Sequence, residues 1–257
     1  VTDTTDRYLQ QTGLLDFHHP AIESLVAKRG WPELDEFGRI GAAYDFVRNE
    51  IRFGYNPRDD LPASAVLTQG YGQCNTKATL LMALLRRLGV PSRLHGFTIH
   101  KSLQRGIVPE PVYRLTPDNI LHSWVECRFG GRWAVLEGFI VDDAVLSALQ
   151  AEFAGKTIKL CAYGVGTDNL PDPSVTWQGK DTFIQKTGIN RDLGLFDDPD
   201  SFYSAHKQQF TLLSGLLYRW VVRHWMNLRV NRLRRGKVPP IPGTGIPAGH
   251  ANKEAAS

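Results

Sequence analysis

Cysteine is scarce in this chain. The three residues, Cys74, Cys127 and Cys161, are odd in number and far apart, without the paired spacing of a zinc site or a disulfide framework. Neither a metal nor disulfides are expected, and the composition suits a reducing compartment. No run reaches the roughly 18 apolar residues of a membrane span. The opening VTDTTDRYLQQTG lacks a basic region followed by an apolar stretch, so no secretory signal is expected and a cytoplasmic location is. A calcium loop of the D-x-D-x-D-G type is missing, so calcium dependence is not predicted. Internal repeats are missing too. Nothing calls for a cofactor.

What is present is enough for one sizeable core. The 257 residues are 42% hydrophobic and 22% charged, ordinary values for a globular chain. The reading is one domain over 1–197, a basic amphipathic helical extension over 198–236 and a disordered tail over 237–257. That tail is rich in proline and glycine and has little to bury. Charge is uneven. Residues 208–237 hold six arginines, one lysine and no acid, a local +7 against +4 for the whole chain, so the remainder sums to −3. The high pI belongs to that segment, which hints at an anionic partner.

Short helices are expected at AIESLVAKRG, at ELDEFGRIGAAYDFVRNEI after Pro32, and at ASAVLTQG, with RFGYNPRDDLP a loop broken at Asn56-Pro57 and Leu61-Pro62. The helix beginning at Cys74 carries Ala78, Leu81, Met82, Leu85 and Leu88 on one side and Leu80 and Leu84 on the other, so it should be buried nearly all round. Gly89 ends it and Pro91 prevents a restart. SRLHGFTIH reads as a strand. Residues 101–119, with three prolines, read as a long loop. ILHSWVECRF and RWAVLEGF alternate as two strands joined by Gly130-Gly131. DDAVLSALQAEF is a helix with an acidic start, and residues 162–197 read as mostly irregular.

A thiol becomes a good nucleophile as a thiolate, which a helix N-terminus and a neighbouring imidazolium both favour. Cys74 follows Gly70, Gly72 and Gln73 and opens a strong helix, which puts its sulfur at the positive end of the dipole. His122 comes 48 residues later on an expected strand, with Trp124 and Glu126 on its face. Glu137 follows on the next strand of the hairpin, where a carboxylate can orient an imidazole.

The blocks GQCNTKATLLMALLRRLGVPSR, HSWVEC and GGRWAVLEG resemble the three signature blocks of the transglutaminase core family over about residues 35–145. The resemblance implies an α+β fold of the papain type: a central helix carrying the cysteine, packed on an antiparallel sheet carrying the histidine and the acid. It implies Cys74 as nucleophile, His122 as base and Glu137 as the third member. That family usually has Asp where this chain has Glu137, and Asp142 or Asp143 could supply the carboxylate instead, although both suit the cap of the following helix. The backbone N–H of Cys74 is the natural first oxyanion donor, with Gln69, Tyr71 or Gln73 as side-chain candidates. Asn75 and Lys77 stand out in the first turn, Lys77 being read as solvent-facing.

The expected activity is acyl chemistry on a peptide, amide or acyl-thioester substrate, passing the acyl group to water (a protease- or amidase-like hydrolase) or to an amine (an acyltransferase). The rival is a binding module that keeps the fold without the chemistry. In the extension, Leu213, Leu216, Leu217, Trp220, Val221 and Leu228 share an arc. That arc is expected to dock on the domain; the alternatives are an anionic membrane surface through residues 208–237 and self-association. Nucleic acid is not the expected partner.

Overall fold

The computed structural model describes residues 6–206 and 212–241; most of the tail expected over 237–257, from 242 onward, lies outside the described residues. The first half supplies α1 (Pro20–Lys28), α2 (Glu36–Asp45), β1 (Arg52–Phe53), α3 (Ala63–Gln69), β2 (Tyr71–Gly72), α4 (Cys74–Arg87) and β3 (Ser92–His100). Then come α5 (Glu110–Tyr113), β4 (Asn119–Phe129), β5 (Arg132–Leu136), α6 (Asp143–Phe153), β6 (Leu160–Ala162), β7 (Val165–Thr167) and β8 (Ile189–Phe196). The chain closes with α7 (Pro199–Ala205), α8 (Leu212–Leu217) and α9 (Arg223–Leu233), the last two joined by a π-helical turn, Tyr218–Val222.

The fold is α+β. One antiparallel sheet has the order β5-β4-β3-β8, and α4 lies against β4 and β3. Every residue of α4 from Cys74 to Arg86 is buried, as its apolar pattern predicts. A fully buried leucine there contributes about 1.5–3 kcal/mol, so this helix is the best-anchored element of the core. In the β3–β4 ladder Phe97 faces His122, and in the β4–β5 ladder Val125 faces Leu136. The hairpin turn therefore delivers Glu137 to the His122 end of β4.

Two regions differ from the sequence expectation. Residues 162–197 are not merely irregular: β6 and β7 form a hairpin, and β8 pairs with β3 as an edge of the sheet. The segment INRDLGLF does not alternate apolar with polar residues and contains Gly194, and the strand it forms is largely unburied. Its pairing comes from the β3 backbone, not from an apolar stripe. The loop expected over 101–119 holds a 3₁₀ turn, Lys101–Gln104, and α5, where Pro109 takes the N-cap and Pro111 the first turn. Within the expected loop those prolines start a helical turn.

The extension docks, but not by the expected face. Its buried stripe is Val222, Met226, Val230 and Leu233, whereas Leu216, Leu217, Trp220, Val221 and Leu228 are exposed. The π turn at Tyr218–Val222 shifts the helix phase, so a simple 3.6-residue projection through this segment selects the wrong arc. Among the described residues no helix is long and apolar enough to cross a membrane.

Candidate active site

Cys74 is the first residue of α4, and the approach to it is tightly built. Gly70, at φ 70°, closes α3 in the left-handed region. A short parallel ladder pairs β1 with β2. A Cβ on Gly72 would stand 2.6 Å from Thr76 Oγ1 and 2.9 Å from Lys77 Cγ, so only glycine lets the chain turn so closely into the helix. The buried Asn56 then fastens the turn. Its N–H donates to Gln73 Oε1 at 2.8 Å, its Nδ2 donates to Gln69 Oε1 at 2.9 Å, and its Oδ1 accepts from Thr76 Oγ1 at 2.6 Å.

Three consecutive side chains after Cys74 tie its turn to three other parts of the chain. Asn75 accepts from Ser123 Oγ at 3.0 Å and donates to the Leu121 carbonyl at 3.2 Å, gripping β4 on both sides of His122. Thr76 holds Asn56 as above. Lys77 is fully buried, contrary to its solvent-facing reading, and its Nζ donates to the carbonyls of Arg48 at 3.2 Å and Ile140 at 3.0 Å. The second of these lies in the turn that follows Glu137. Burial pushes the Lys77 ammonium down to about 7, with the nearby Asp142 carboxylate acting the other way. Side-chain length alone suggests a lysine that reaches water; the enclosed carbonyls give it a partner it cannot find outside.

His122 and Glu137 are both fully buried, with His122 Nε2 3.5 Å from Glu137 Oε1. That is an ion-pair distance and not an aligned hydrogen bond. Burial opposes the imidazolium, but the Cys74 sulfur and the Glu137 carboxylate more than offset it and hold His122 at about 9. Glu137 is itself fixed: its Oε2 accepts the Ile184 N–H at 2.5 Å, and its Oε1 accepts the Gln185 N–H at 2.9 Å. The extra methylene of glutamate is thus accommodated between two backbone donors and the imidazole.

The alternative acids are engaged elsewhere. Asp142 caps α6 by accepting the Val145 N–H at 3.1 Å and pairs with Arg234 at 2.6 Å, while Asp143 pairs with Arg48 at 2.6 Å. Of the three oxyanion candidates, Gln69 is exposed, the Tyr71 hydroxyl accepts from Arg223 Nη1 at 3.3 Å, and only Gln73 lines the cavity at Cys74. Gln73 Nε2 already donates to Asp59 Oδ1 at 2.7 Å. Cys127, by contrast with Cys74, is a core thiol that burial pushes up to about 12, and Cys161 is exposed.

Cys74 opens on a cavity of about 980 Å³ lying between the sheet domain and the extension. Phe53, Ile99, Leu103 and Leu121 form its walls on one side, Val222 and Met226 on the other. Near the sulfur it is polar, with Asp59, Gln73, Asn75 and Gln185. Tyr203, from α7, also lines it, and its hydroxyl is buried without a hydrogen-bond partner. Burial first, then the charges of Asp59 and Cys74, hold that phenol well above its ordinary pKa, so it stays protonated at neutral pH and can donate a hydrogen bond. Sequence reasoning did not find Asn56, Asp59, Tyr203 or the Ile184–Gln185 amides. Asn56 carried a signal, the Asn-Pro break, which was read only as a loop marker; Tyr203 carried none.

Residues 25–138 match the model of the transglutaminase-like superfamily, the family the three sequence blocks resemble. The match contains Cys74, His122 and Glu137 and stops before the extension, and this family points to cysteine-based catalysis. Among solved structures, a candidate cysteine protease from Cytophaga hutchinsonii is similar at 13% identity and a TM-score of 0.43, over 78% of this chain and 49% of that one. The chain thus spans about half that protein's length. No curated protein matches it.

Proposed function

We propose that the protein is a cysteine-dependent enzyme that acts on an amide or thioester through an acyl-enzyme at Cys74. The observation that supports this best is Cys74 on the wall of the cavity at the start of α4, with the buried His122 electrostatically coupled to its sulfur and lying 3.5 Å from Glu137. The Cys74 thiolate attacks the carbonyl carbon. The free N–H of Cys74 at the helix start takes the developing oxyanion, and the Tyr203 hydroxyl is a second donor facing the same cavity. His122 passes its proton to the leaving group, and Glu137 keeps the ring oriented. Water or an amine then attacks the acyl-enzyme, with His122 accepting the incoming proton, so the outcome is hydrolysis or acyl transfer.

The test is the rate of Cys74 alkylation by iodoacetamide across pH, in the wild type and in His122→Ala. Cys161→Ser in both proteins removes the exposed thiol from the reading. The expected result is rapid alkylation at neutral pH that slows markedly when His122 is removed. Slow alkylation at the same rate in both proteins would establish the non-catalytic binding module instead.

A further inference from the structure

The exposed face of the extension is unusual. Leu216, Leu217, Trp220, Val221, Trp225 and Leu228 are all exposed, Trp220 at 67%. Isolated apolar residues on a surface need no explanation, but six on successive turns of one helix do. The helix is not loose. Asn227 exchanges hydrogen bonds with the Tyr55 backbone at 2.7 and 3.0 Å, and Arg234 pairs with Asp142 at 2.6 Å. The body therefore holds this apolar face outward. Around it stand the exposed Arg219, Arg232, Arg235 and Lys237, in a stretch that has no acid.

We propose that this face seats the protein on an anionic lipid bilayer and turns the mouth of the cavity toward the acyl chains. Three observations carry it. Exposed tryptophans and leucines flanked by arginines match the layering of a bilayer interface, apolar at depth and anionic at the headgroups. The +7 of residues 208–237, set against −3 for the remainder, concentrates the attraction to an anionic surface on this segment. The cavity shares this rim: Leu216, Leu217 and Arg219 line it, as does Leu115, which is 86% exposed. A second copy on this face would bring +7 against +7, and a nucleic acid would leave the leucines and Val221 in water.

The substrate class follows, resting on the reading of Cys74 above: an amide or thioester whose acyl part is a long apolar chain, drawn from the bilayer into the cavity. For a thioester, the Sγ–acyl bond forms as the bond to the leaving sulfur breaks, and that sulfur takes the His122 proton.

The experiment is co-sedimentation of the full chain with vesicles of phosphatidylcholine alone or mixed with phosphatidylglycerol, in low and high salt. It is run on the wild type, Cys74→Ala, and Trp220→Ser/Trp225→Ser. The expected result is binding to the mixed vesicles by the wild type and by Cys74→Ala alike, weakened by salt. The double variant, with unchanged circular dichroism and melting, should bind on the order of tenfold more weakly. No binding to mixed vesicles, equal binding by the double variant, or a Trp220-dependent dimer in sedimentation velocity would overturn the docking. Acylation of Cys74 by a vesicle-borne long-chain thioester should run at least about tenfold faster than by the acetyl analogue in water; equal rates would overturn the substrate class. Vesicle binding does not involve Cys74 chemistry, so its failure leaves the alkylation result standing, and the reverse holds.

Discussion

At the scale of single residues, the site turns on a glutamate where the family usually has an aspartate. Glu137 reaches His122 at 3.5 Å while two backbone amides hold its other contacts. Glu137→Gln keeps the shape and removes the charge, so the His122 pKa should fall from about 9 by roughly a unit or more. Glu137→Asp keeps the charge but must retreat from either the amides or the ring, and should give a smaller fall together with a lower melting temperature. NMR titration of the His122 ring reads both; an unmoved pKa in Glu137→Gln would remove the carboxylate from the proposed triad. Cys74→Ala should lower the same pKa further, because the sulfur's charge is the largest influence favouring the imidazolium. The sign for stability follows. The folded value lies above the ordinary 6.5, so the charged ring stabilises the fold fully below pH 6.5, and that contribution disappears as pH rises through about 9. In Cys74→Ala this contribution should be smaller and its loss complete at lower pH, which denaturant titrations at a series of pH values would show.

At the scale of elements, the helix that Cys74 opens was the most legible part of the chain. Its all-round apolar pattern, its glycine-rich approach and its glycine stop each have a local cause, and local causes can be read one residue at a time. The hairpin carrying His122 and Glu137 was legible for the same reason. The edge strand β8 was not, because its pairing is dictated by the exposed backbone of β3 rather than by its own side chains. Nor was the role of Lys77, whose two carbonyl acceptors come from Arg48 and Ile140, far away in sequence. That lysine gives a prediction with the opposite sign to His122. Its folded value of about 7 lies below the ordinary 10.5, so its contribution to stability is complete only above pH 10.5 and is lost as pH falls through about 7. Lys77→Met fills the same channel but leaves two buried carbonyls without donors, at a cost of about 1–3 kcal/mol each. The stability gap between wild type and Lys77→Met should therefore widen from pH 7 toward pH 10; a constant gap in chemical denaturation would mean the ammonium does not titrate there.

At the scale of the whole molecule, the cavity exists because the extension closes over a cleft that the sheet domain leaves open. Sequence showed two compositions meeting near residue 200 but not how they meet, since the latch joins positions 89 to 181 residues apart. Arg234 donates to the Phe53 carbonyl at 3.0 Å and to Asp142 at 2.6 Å, and Asp142 in turn accepts the Phe53 N–H at 2.9 Å and caps α6. One carboxylate thus joins β1, α6 and the extension. Arg234→Ala would strand Asp142, mostly buried, without its cation, and breaking such a pair costs about 3 kcal/mol, less to the extent that water enters. The loss should fall on the extension first, because Phe53 and Asp142 keep their own hydrogen bond when Arg234 is removed, whereas the extension loses both of its contacts through that side chain. Hydrogen exchange should then speed up across residues 212–241 while α4 and β4 keep their protection, and a bulky maleimide should reach Cys74 faster than in the wild type. If exchange rises equally everywhere, the extension and the domain unfold as one unit, and entry to the cavity is set by the fixed rim at Leu115 and Leu216 and not by movement of the helix above it.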